Sequence, residues 1–478
     1  MALDQQSNWD ADMADNLRQV TSKHKQKSQP SIATSSAPPT PFKPWTKPPI
    51  YLPDEILLQI ASYLRNQQAS LASCAVLSQQ WYSATVPLLY AHPNLHGPNF
   101  APFVAAICPS INLHVRPSRL AKLVKALDMR RMVHEVSRTS TARLLGRTKE
   151  NLEAFVAPQA SFGLNCLPAL SKCQHLQALD LSLVSESPPL TELFRTLERL
   201  GELRILRLPR SAGFGVHSKR AETAALVWPP KLEDLSLSGG IDAHFLHGVV
   251  AFPQTLKALT IEHCPLAKGF AVVHLLKTAV RKLRNLEKLK IAHMPRLSSR
   301  ALDDILFLLP QIRDLSVSVD YITPALFDEG HYSHLAKEPY NTFSHLAQAF
   351  DPNPGSLLDP EEFTGEAEME TPSLKTHALR TLTLTSSGNT GLEDKISPID
   401  ILIALDEGSL PNLRVVRAAK ALHWHSNVTS ADAEALADGL KEAAKRTYLR
   451  ESGKDEVEMV EGEQQLWEEG VGVWVIEG

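Results

Sequence analysis

The sequence predicts an α/β solenoid that follows a short helical module near the N-terminus. A Leu-x-x-Leu-x-Leu pattern returns ten times between residues 124 and 418. Apolar residues at helical spacing occur earlier, between residues 52 and 81. With 478 residues, 43% of them hydrophobic, the chain is long enough to form two or three domains.

The first 48 residues are predicted to be a disordered arm. The stretch from Ser28 to Pro49 is rich in Ser, Thr, Pro and Lys and has almost no large apolar side chains. Burial in such a stretch cannot offset the entropy that is lost when the chain becomes ordered.

A helix is predicted to start at Pro53, followed by Asp54 and Glu55. Proline fits the first helical turn, and acids favour the positive end of the helix dipole. Two sets of apolar residues then recur at helical spacing. They are Ile56, Leu57, Ile60 and Leu64 in the first helix and Leu71, Cys74, Ala75, Leu77 and Trp81 in the second. Because two short helices cannot enclose a core, their apolar faces are expected to meet a partner.

Each copy of the leucine pattern predicts a short strand and a return segment, which is helical over residues 190–200, 270–283 and 301–309. The copies begin at Val124, Leu152, Leu176, Leu203, Leu232, Leu256, Leu286, Ile312, Leu379 and Leu413. Steps of 24 to 30 residues from Leu152 to Ile312 are close to the repeat length of leucine-rich repeats. Stacked repeats would bury one another's leucines in a leucine-rich-repeat horseshoe with strands on the concave side.

One step, from Ile312 to Leu379, is 67 residues long and predicts an insertion over 320–377. Residues 351–373 contain seven acids and no Lys or Arg, which predicts a mobile acidic loop. The first half is expected to be ordered because it carries six aromatic residues: Tyr321, Phe327, Tyr332, Tyr340, Phe343 and Phe350. A tolerated surface insertion and a binding loop both fit this pattern, and the former is favoured.

Composition and motifs argue against several functional classes. The formal net charge of −4 disfavours a dedicated nucleic-acid binder. The five cysteines lack metal-ligand spacing, so neither a metal nor a cofactor is expected. The sequence has no phosphate loop, nucleophile elbow or zinc-protease motif, and His423-Trp424-His425 is interpreted as an exposed pair, so no enzyme is expected. The N-terminus has no secretory leader and no apolar run reaches membrane length, which predicts a cytoplasmic and/or nuclear protein.

The segment from Leu52-Pro53-Asp54-Glu55-Ile56-Leu57 to Leu77-Ser78-Gln79-Gln80-Trp81 resembles the F-box. The resemblance implies docking on the Skp adaptor, and through it on a cullin, as the substrate-recognition subunit of an SCF-type ubiquitin ligase. The motif's apolar positions fall on Leu52, Pro53, Ile56, Leu57, Ile60, Leu71, Leu77 and Trp81. Of these, Ile56, Leu57, Ile60 and Trp81 are expected to stay partly exposed until the adaptor binds. Ser78-Gln79-Gln80 departs from the usual Cys and two basic residues.

The order of F-box and repeats is similar to that of fungal-type F-box and leucine-rich-repeat substrate receptors. The predicted division is an arm over 1–48, an F-box over 49–95, a linker helix region over 96–123, repeats over 124–428, and a C-terminal helix with a capping tail over 429–478. Charged residues between the inward leucines would line the concave face and hold a protein substrate. They are Asp180, Arg207, Asp234, Glu262, Lys288, Lys290, Asp314 and Arg417.

Several alternatives remain open. Residues 52–81 also fit a helical hairpin that caps the first repeat, and the repeats also fit an α/β domain of another kind. A second functional class is a non-ligase scaffold, in particular a nucleic-acid-associated one, because ten Lys or Arg outnumber two acids between Val115 and Lys149. Such a basic run is more often the solvated face of the first repeats.

Overall fold

A computed structural model describes much of the chain. The described residues are 52–110, 118–132, 136–211, 227–239, 252–267, 269, 272–273, 275–276, 283–328, 373–386, 395–424, 429–453, 468 and 470–477. The chain divides into two compact units with the boundary between Val124 and Lys125. The arm over 1–48 and the acidic stretch over 351–372 lie outside the described residues.

The N-terminal unit is helical. Its helices are α1 (Asp54–Tyr63), α2 (Gln68–Ala75), α3 (Gln79–Ala91) and α4 (Gly97–Ile107), followed by a 3-10 turn (Arg119–Leu123). The prediction of one second helix through Trp81 is wrong, because that stretch is split between α2 and α3. The Ser78 hydroxyl accepts a hydrogen bond from the Trp81 N–H at 3.2 Å and starts a new helix there.

Helix α3 is the centre of this unit, since it packs against both α1 and α2. Leu57 and Ala61 of α1 and Leu71 of α2 point inward and are fully buried. Thr85 of α3 is buried as well, and its hydroxyl donates to the Trp81 carbonyl at 2.7 Å, so no polar group is stranded in the core. The three helices thus form a small core of their own.

The second unit contains one parallel sheet. Its strands are β1 (Ala126–Asp128), β2 (Ala154–Val156), β3 (Ala178–Asp180), β4 (Ile205–Arg207), β5 (Asp234–Leu237), β6 (Ala258–Glu262), β7 (Lys288–Ala292), β8 (Asp314–Ser318), β9 (Thr381–Thr385), β10 (Val415–Ala419) and β11 (Gly472–Ile476). Each strand pairs with the next in the sequence, from β1 to β11. The ten copies of the leucine pattern coincide with β1 to β10, as predicted, whereas β11 was not predicted.

The middle apolar residue of each copy lies directly opposite its equivalents on the neighbouring strands. Leu179 pairs with Leu206, for example, and Leu206 pairs with Leu235. The row is buried throughout: Leu127, Phe155, Leu179, Leu206, Leu235, Leu259, Leu289, Leu315, Leu382 and Val416. Each such side chain contributes on the order of 2 kcal/mol through burial, so the row is the main source of cohesion between strands.

The helices of the second unit lie between strands in the sequence. They are α5 (Arg138–Thr148), α6 (Leu167–Leu170), α7 (Leu190–Leu197), α8 (Ile305–Leu308), α9 (Pro398–Asp406) and α10 (Ser430–Ser452). The return segment predicted over 301–309 is helical only in α8. Residues before α8 turn instead because the buried Asp303 carboxylate accepts hydrogen bonds from the N–H and hydroxyl of Thr323, at 2.6 and 2.8 Å. Most of 270–283 lies outside the described residues.

The start of the predicted insertion packs in the core. Two 3-10 turns (Val319–Tyr321 and Pro324–Phe327) follow β8, and Tyr321 and Phe327 are buried. The Tyr321 hydroxyl accepts a hydrogen bond from the Met294 N–H at 2.6 Å. The other four aromatic residues of the insertion fall outside the described residues.

A buried histidine fastens the chain where it returns to the sheet before β9. The His377 Nδ1 accepts from the Leu379 N–H at 3.0 Å, so Nε2 carries the proton and donates to the Leu306 carbonyl at 3.0 Å. Both bonds require the neutral ring. Burial lowers the pKa of His377 from 6.5 to about 4.

The fold should therefore lose stability in acid through His377. Because its pKa is depressed on folding, the unfolded chain binds the proton more tightly. The stabilisation is complete above pH 6.5 and disappears as the pH falls to about 4, a loss of about 3 kcal/mol. Urea unfolding of the full chain across this pH range measures the loss. His377→Asn keeps an acceptor for the Leu379 N–H but cannot titrate, so its stability should vary less with pH, and an unchanged pH dependence would contradict this role.

Leu57 should be a stability residue of the helical unit. Leu57→Ala should lower the local free energy of unfolding by about 2–5 kcal/mol, because it empties a packed site. Leu58, its neighbour on α1, is half exposed, and Leu58→Ala should change it by less than about 0.5 kcal/mol. Amide hydrogen exchange over residues 54–91 of the full chain measures both. Equal exchange rates in the two variants would show that Leu57 is not a core residue.

Candidate functional site

The helical unit exposes a group of large apolar side chains. Ile56, Ile60 and Tyr63 lie along one stripe of α1 and are exposed. Val76 and Leu77, in the turn between α2 and α3, are 71% and 66% exposed. Tyr63 and Val76 were missed from the sequence, although Tyr63 continues the spacing of Ile56 and Ile60.

Two of the predicted adaptor contacts are core residues instead. Leu57 is 1% and Leu71 is 0% exposed, so the expectation that Leu57 stays partly exposed is wrong. The reason is that α3 covers the face of α1 that carries Leu57 and Ala61, a face that the two-helix prediction left open. Leu52 and Trp81 are half-buried and Pro53 is exposed.

The side chain of Gln80 places the exposed turn beside the start of α1. Its amide nitrogen donates to the Leu52 carbonyl and to the Asp54 carboxylate, both at 2.7 Å. Val76 and Leu77 precede Gln80 by only a few residues, so they lie at the end of the unit where α1 begins. Exposed apolar side chains gathered in this way are typical of a protein-docking surface.

The charged residues assigned from the sequence to a concave face all lie on one side of the sheet. We call this side the polar face, because its side chains alternate with the buried leucines. Seven of the eight lie on the consecutive strands β3 to β8, and Arg417 lies apart on β10. The structure therefore brings most of the predicted set together.

Most of these charges are engaged in ion pairs between strands. Asp180 pairs with Arg207 at 3.1 Å, and Lys288 pairs with Asp314 at 3.2 Å. Lys290 contacts Glu262 at 2.7 Å. Burial raises the pKa of Glu262, but the hydrogen bond and charge of Lys290 outweigh it and leave the pKa below its ordinary value.

Asp234 is the exception among the acids of this set. Its carboxylate makes no ion pair or hydrogen bond within the described part of the chain. Burial raises the pKa of Asp234, against the opposing charges of Arg207 and Lys288. It is a partly buried anion between two cations that already have partners, and its position suits a hydrogen-bond donor on a bound protein.

A second set of charges, which we call the edge ladder, was missed from the sequence. It consists of the residue after the first apolar residue of each copy: Lys125, Glu153, Gln177, Arg204, Glu233, Lys257, Glu287, Arg313, Arg380 and Arg414. Arg204 and Lys257 both contact Glu233, at 3.1 and 3.2 Å. Exposed pairs of this kind contribute about 0.2–1 kcal/mol each. The alternation of sign is visible once the copies are aligned.

Two histidines stack at the end of the sheet. The rings of His263 and His293, which directly follow β6 and β7, have centroids 4.4 Å apart and planes 5° apart. Both residues have left-handed backbone angles, with φ of 53° and 52°. Burial lowers the pKa of His263, helped by the charges of Arg210 and His293, so the neutral ring is favoured.

The basic run over 115–149 does not form one free cationic surface. Within its described part, Lys125 pairs with Glu153 at 2.9 Å and Arg130 pairs with Asp128 at 2.9 Å. Arg138 forms an ion pair with Glu186, and Arg147 is buried. These contacts weaken the case for a phosphate-binding surface.

The described residues contain no cluster of three or more His, Cys, Asp or Glu that could hold a metal ion. Four of the five cysteines are buried, as expected. Burial raises the pKa of Cys173 and of Cys264 to about 12, which disfavours the thiolate. Among the helices of the described residues, none combines the length and apolar character needed to cross a membrane.

Comparison with known proteins adds to this geometry. Residues 50–96, which include α1 to α3, match the F-box-like family. A Saccharomyces cerevisiae protein, "F-box protein YDR306C", is 30% identical over 380 residues, which covers 78% of this chain and 67% of the relative. "Protein pof5" of Schizosaccharomyces pombe is 32% identical over 248 residues, or 52% of this chain and 66% of the relative.

The F-box-like match falls on the unit that carries the exposed apolar side chains, and the first of these similarities extends well into the sheet. The chain spans about two thirds of the length of either relative. An F-box-like helical unit and a relative of this identity and coverage lead to one conclusion: the chain belongs to the F-box proteins.

Proposed function

We propose that this protein is the substrate-recognition subunit of an SCF-type ubiquitin ligase. The helical unit would dock on a Skp-family adaptor, and through it on a cullin, while the second unit would hold a protein substrate. F-box domains generally bind adaptors of this type. The observation that carries the proposal is the group of exposed apolar side chains around Leu77, within the F-box-like match.

The proposal includes the assignment of the second unit to leucine-rich repeats. Support comes from the repeat spacing, from the buried row of middle leucines, and from strands that pair strictly in sequence order. In a leucine-rich-repeat horseshoe, the polar face would be the concave side. A substrate would then meet side chains that the ion pairs between strands hold in position.

The protein would contribute binding and not chemistry. Docking of the helical unit would bring the substrate near the rest of the ligase, which raises its effective concentration there. Buried thiols of high pKa and side chains engaged in ion pairs suit this role.

The adaptor half of the proposal is tested by capture of the full chain with a Skp-family adaptor and a cullin. Leu77→Asp should weaken adaptor binding roughly tenfold or more, because it puts a charge at an apolar contact. Leu164→Asp is a matched control, since Leu164 is also exposed but lies in the second unit. Normal adaptor capture by Leu77→Asp, or no adaptor with the parent chain, would favour a non-ligase scaffold.

The substrate half is tested on β7. Lys288→Glu combined with Lys290→Glu should lower substrate recovery without unfolding the sheet, because both side chains project from the polar face. These changes also break the pairs with Asp314 and Glu262. A control that adds Asp314→Lys and Glu262→Lys restores the ion pairs with opposite polarity. Substrate recovery should stay low in the control if substrate reads the charges, and recovery that returns with the pairs would mean that they act only on the sheet.

A further inference from the structure

The balance of charges changes between the middle of the sheet and its last three strands. From β3 to β8, most charged side chains of the polar face have a partner on a neighbouring strand. Arg417 on β10 has none among the described residues, and it is exposed. A cation in this position has only solvent to balance it.

The edge ladder ends in the same way. Arg313 still pairs with Glu287 at 3.5 Å, but the next two members, Arg380 and Arg414, are both basic. Arg414 donates to the carbonyls of Pro411 and Leu413, at 2.9 and 2.8 Å. Arg380 is exposed and makes no ion pair within the described ranges. Like charges on neighbouring strands repel, so an anion bound over β9 and β10 would relieve an unfavourable interaction.

The neighbours of Arg417 are suited to hold a peptide. Its register partners are Thr383 on β9 and Trp474 on β11, each about 4.8 Å away along the sheet. Trp474 is 52% exposed. An arginine beside a solvent-exposed tryptophan combines the two residue types that are most enriched among energetically dominant interface residues.

We propose that the polar face of β9 to β11 binds an acidic peptide segment. An Asp or Glu carboxylate would accept hydrogen bonds from the Arg417 guanidinium, and a neighbouring apolar residue would pack on Trp474. Further acids would lie toward Arg380. This inference rests on the proposed function, in which the segment belongs to the substrate.

A protein ligand fits this surface better than a nucleic acid does. Trp474 is the exposed large aromatic side chain of the described polar face, whereas single-stranded nucleic acid is held by several aromatic side chains in a row. Acids also stand close by, with Asp314 on β8 and Asp234 on β5 on the same face. A chain of regularly spaced phosphates would meet these acids, while a peptide places its carboxylates individually.

The test is a selection of peptides from a random phage-displayed library on the full chain without any adaptor. Selected peptides should be enriched in Asp and Glu next to a large apolar residue. Their affinity, measured by fluorescence anisotropy, should fall roughly tenfold or more for Arg417→Glu and for Trp474→Ala. A peptide with Lys in place of its critical acid should regain affinity for Arg417→Glu. The matched control is Arg207→Glu, an exposed arginine in the same register row on β4, which should leave affinity within about twofold.

Several results would overturn the proposal. They are a selection without acidic enrichment or without any binder, equal affinity for Arg417→Glu and the parent chain, or an equal loss in Arg207→Glu. Displacement of the peptide by single-stranded RNA would point to nucleic acid. Binding that requires neutralised acids at Asp359, Glu361 and Glu362 would mean that the chain's own acidic stretch is the occupant. A change of oligomeric state in Arg417→Glu would point to a second copy. Because no adaptor is present, failure of adaptor binding leaves these outcomes unaffected.

Discussion

The pairing of each strand with the next, in one register, is the constraint on which the second unit depends. Because successive residues of a strand point to opposite faces, a slip of one residue would expose the row from Leu127 to Val416 and bury the polar face. Burial of about 2 kcal/mol per leucine makes such a slip very costly. The polar face and the edge ladder are therefore positioned by the leucines, and their charges are free to vary as long as the leucines remain.

The charges add orientation to this apolar cohesion. Ion pairs such as Asp180 with Arg207 and Glu262 with Lys290 join strands that are nearly thirty residues apart in sequence. Each is partly exposed, so its net contribution to stability is small. Their larger effect is to hold long side chains in fixed positions, which lowers the entropy that a bound protein must overcome.

The strands could be predicted from the sequence because the leucine spacing alone fixes which residues point inward. Strand β11 escaped because Gly470 stands where the other copies carry a large apolar residue, although Val471, Val473 and Val475 alternate as in a strand. The positions of Leu57 and Leu71 could not be derived either, since their burial depends on α3. The ion pairs between strands also lay beyond the sequence, because they require the register. Whether the polar face binds a substrate is a question of partners, and no pattern in one chain answers it.

Strand order also governs how the sheet comes apart. A strand inside the sheet is held on two sides, but β11 pairs only with β10 within the described residues and is otherwise supported by α10. Opening of the backbone hydrogen bonds at this end disrupts one strand junction and leaves the others intact, so it costs less free energy than opening at β6. Trp474 stands on this terminal strand. Any molecule that grips Trp474 and Arg417 together would staple β11 to β10, and its binding and the local order of the chain's end would rise and fall as one equilibrium.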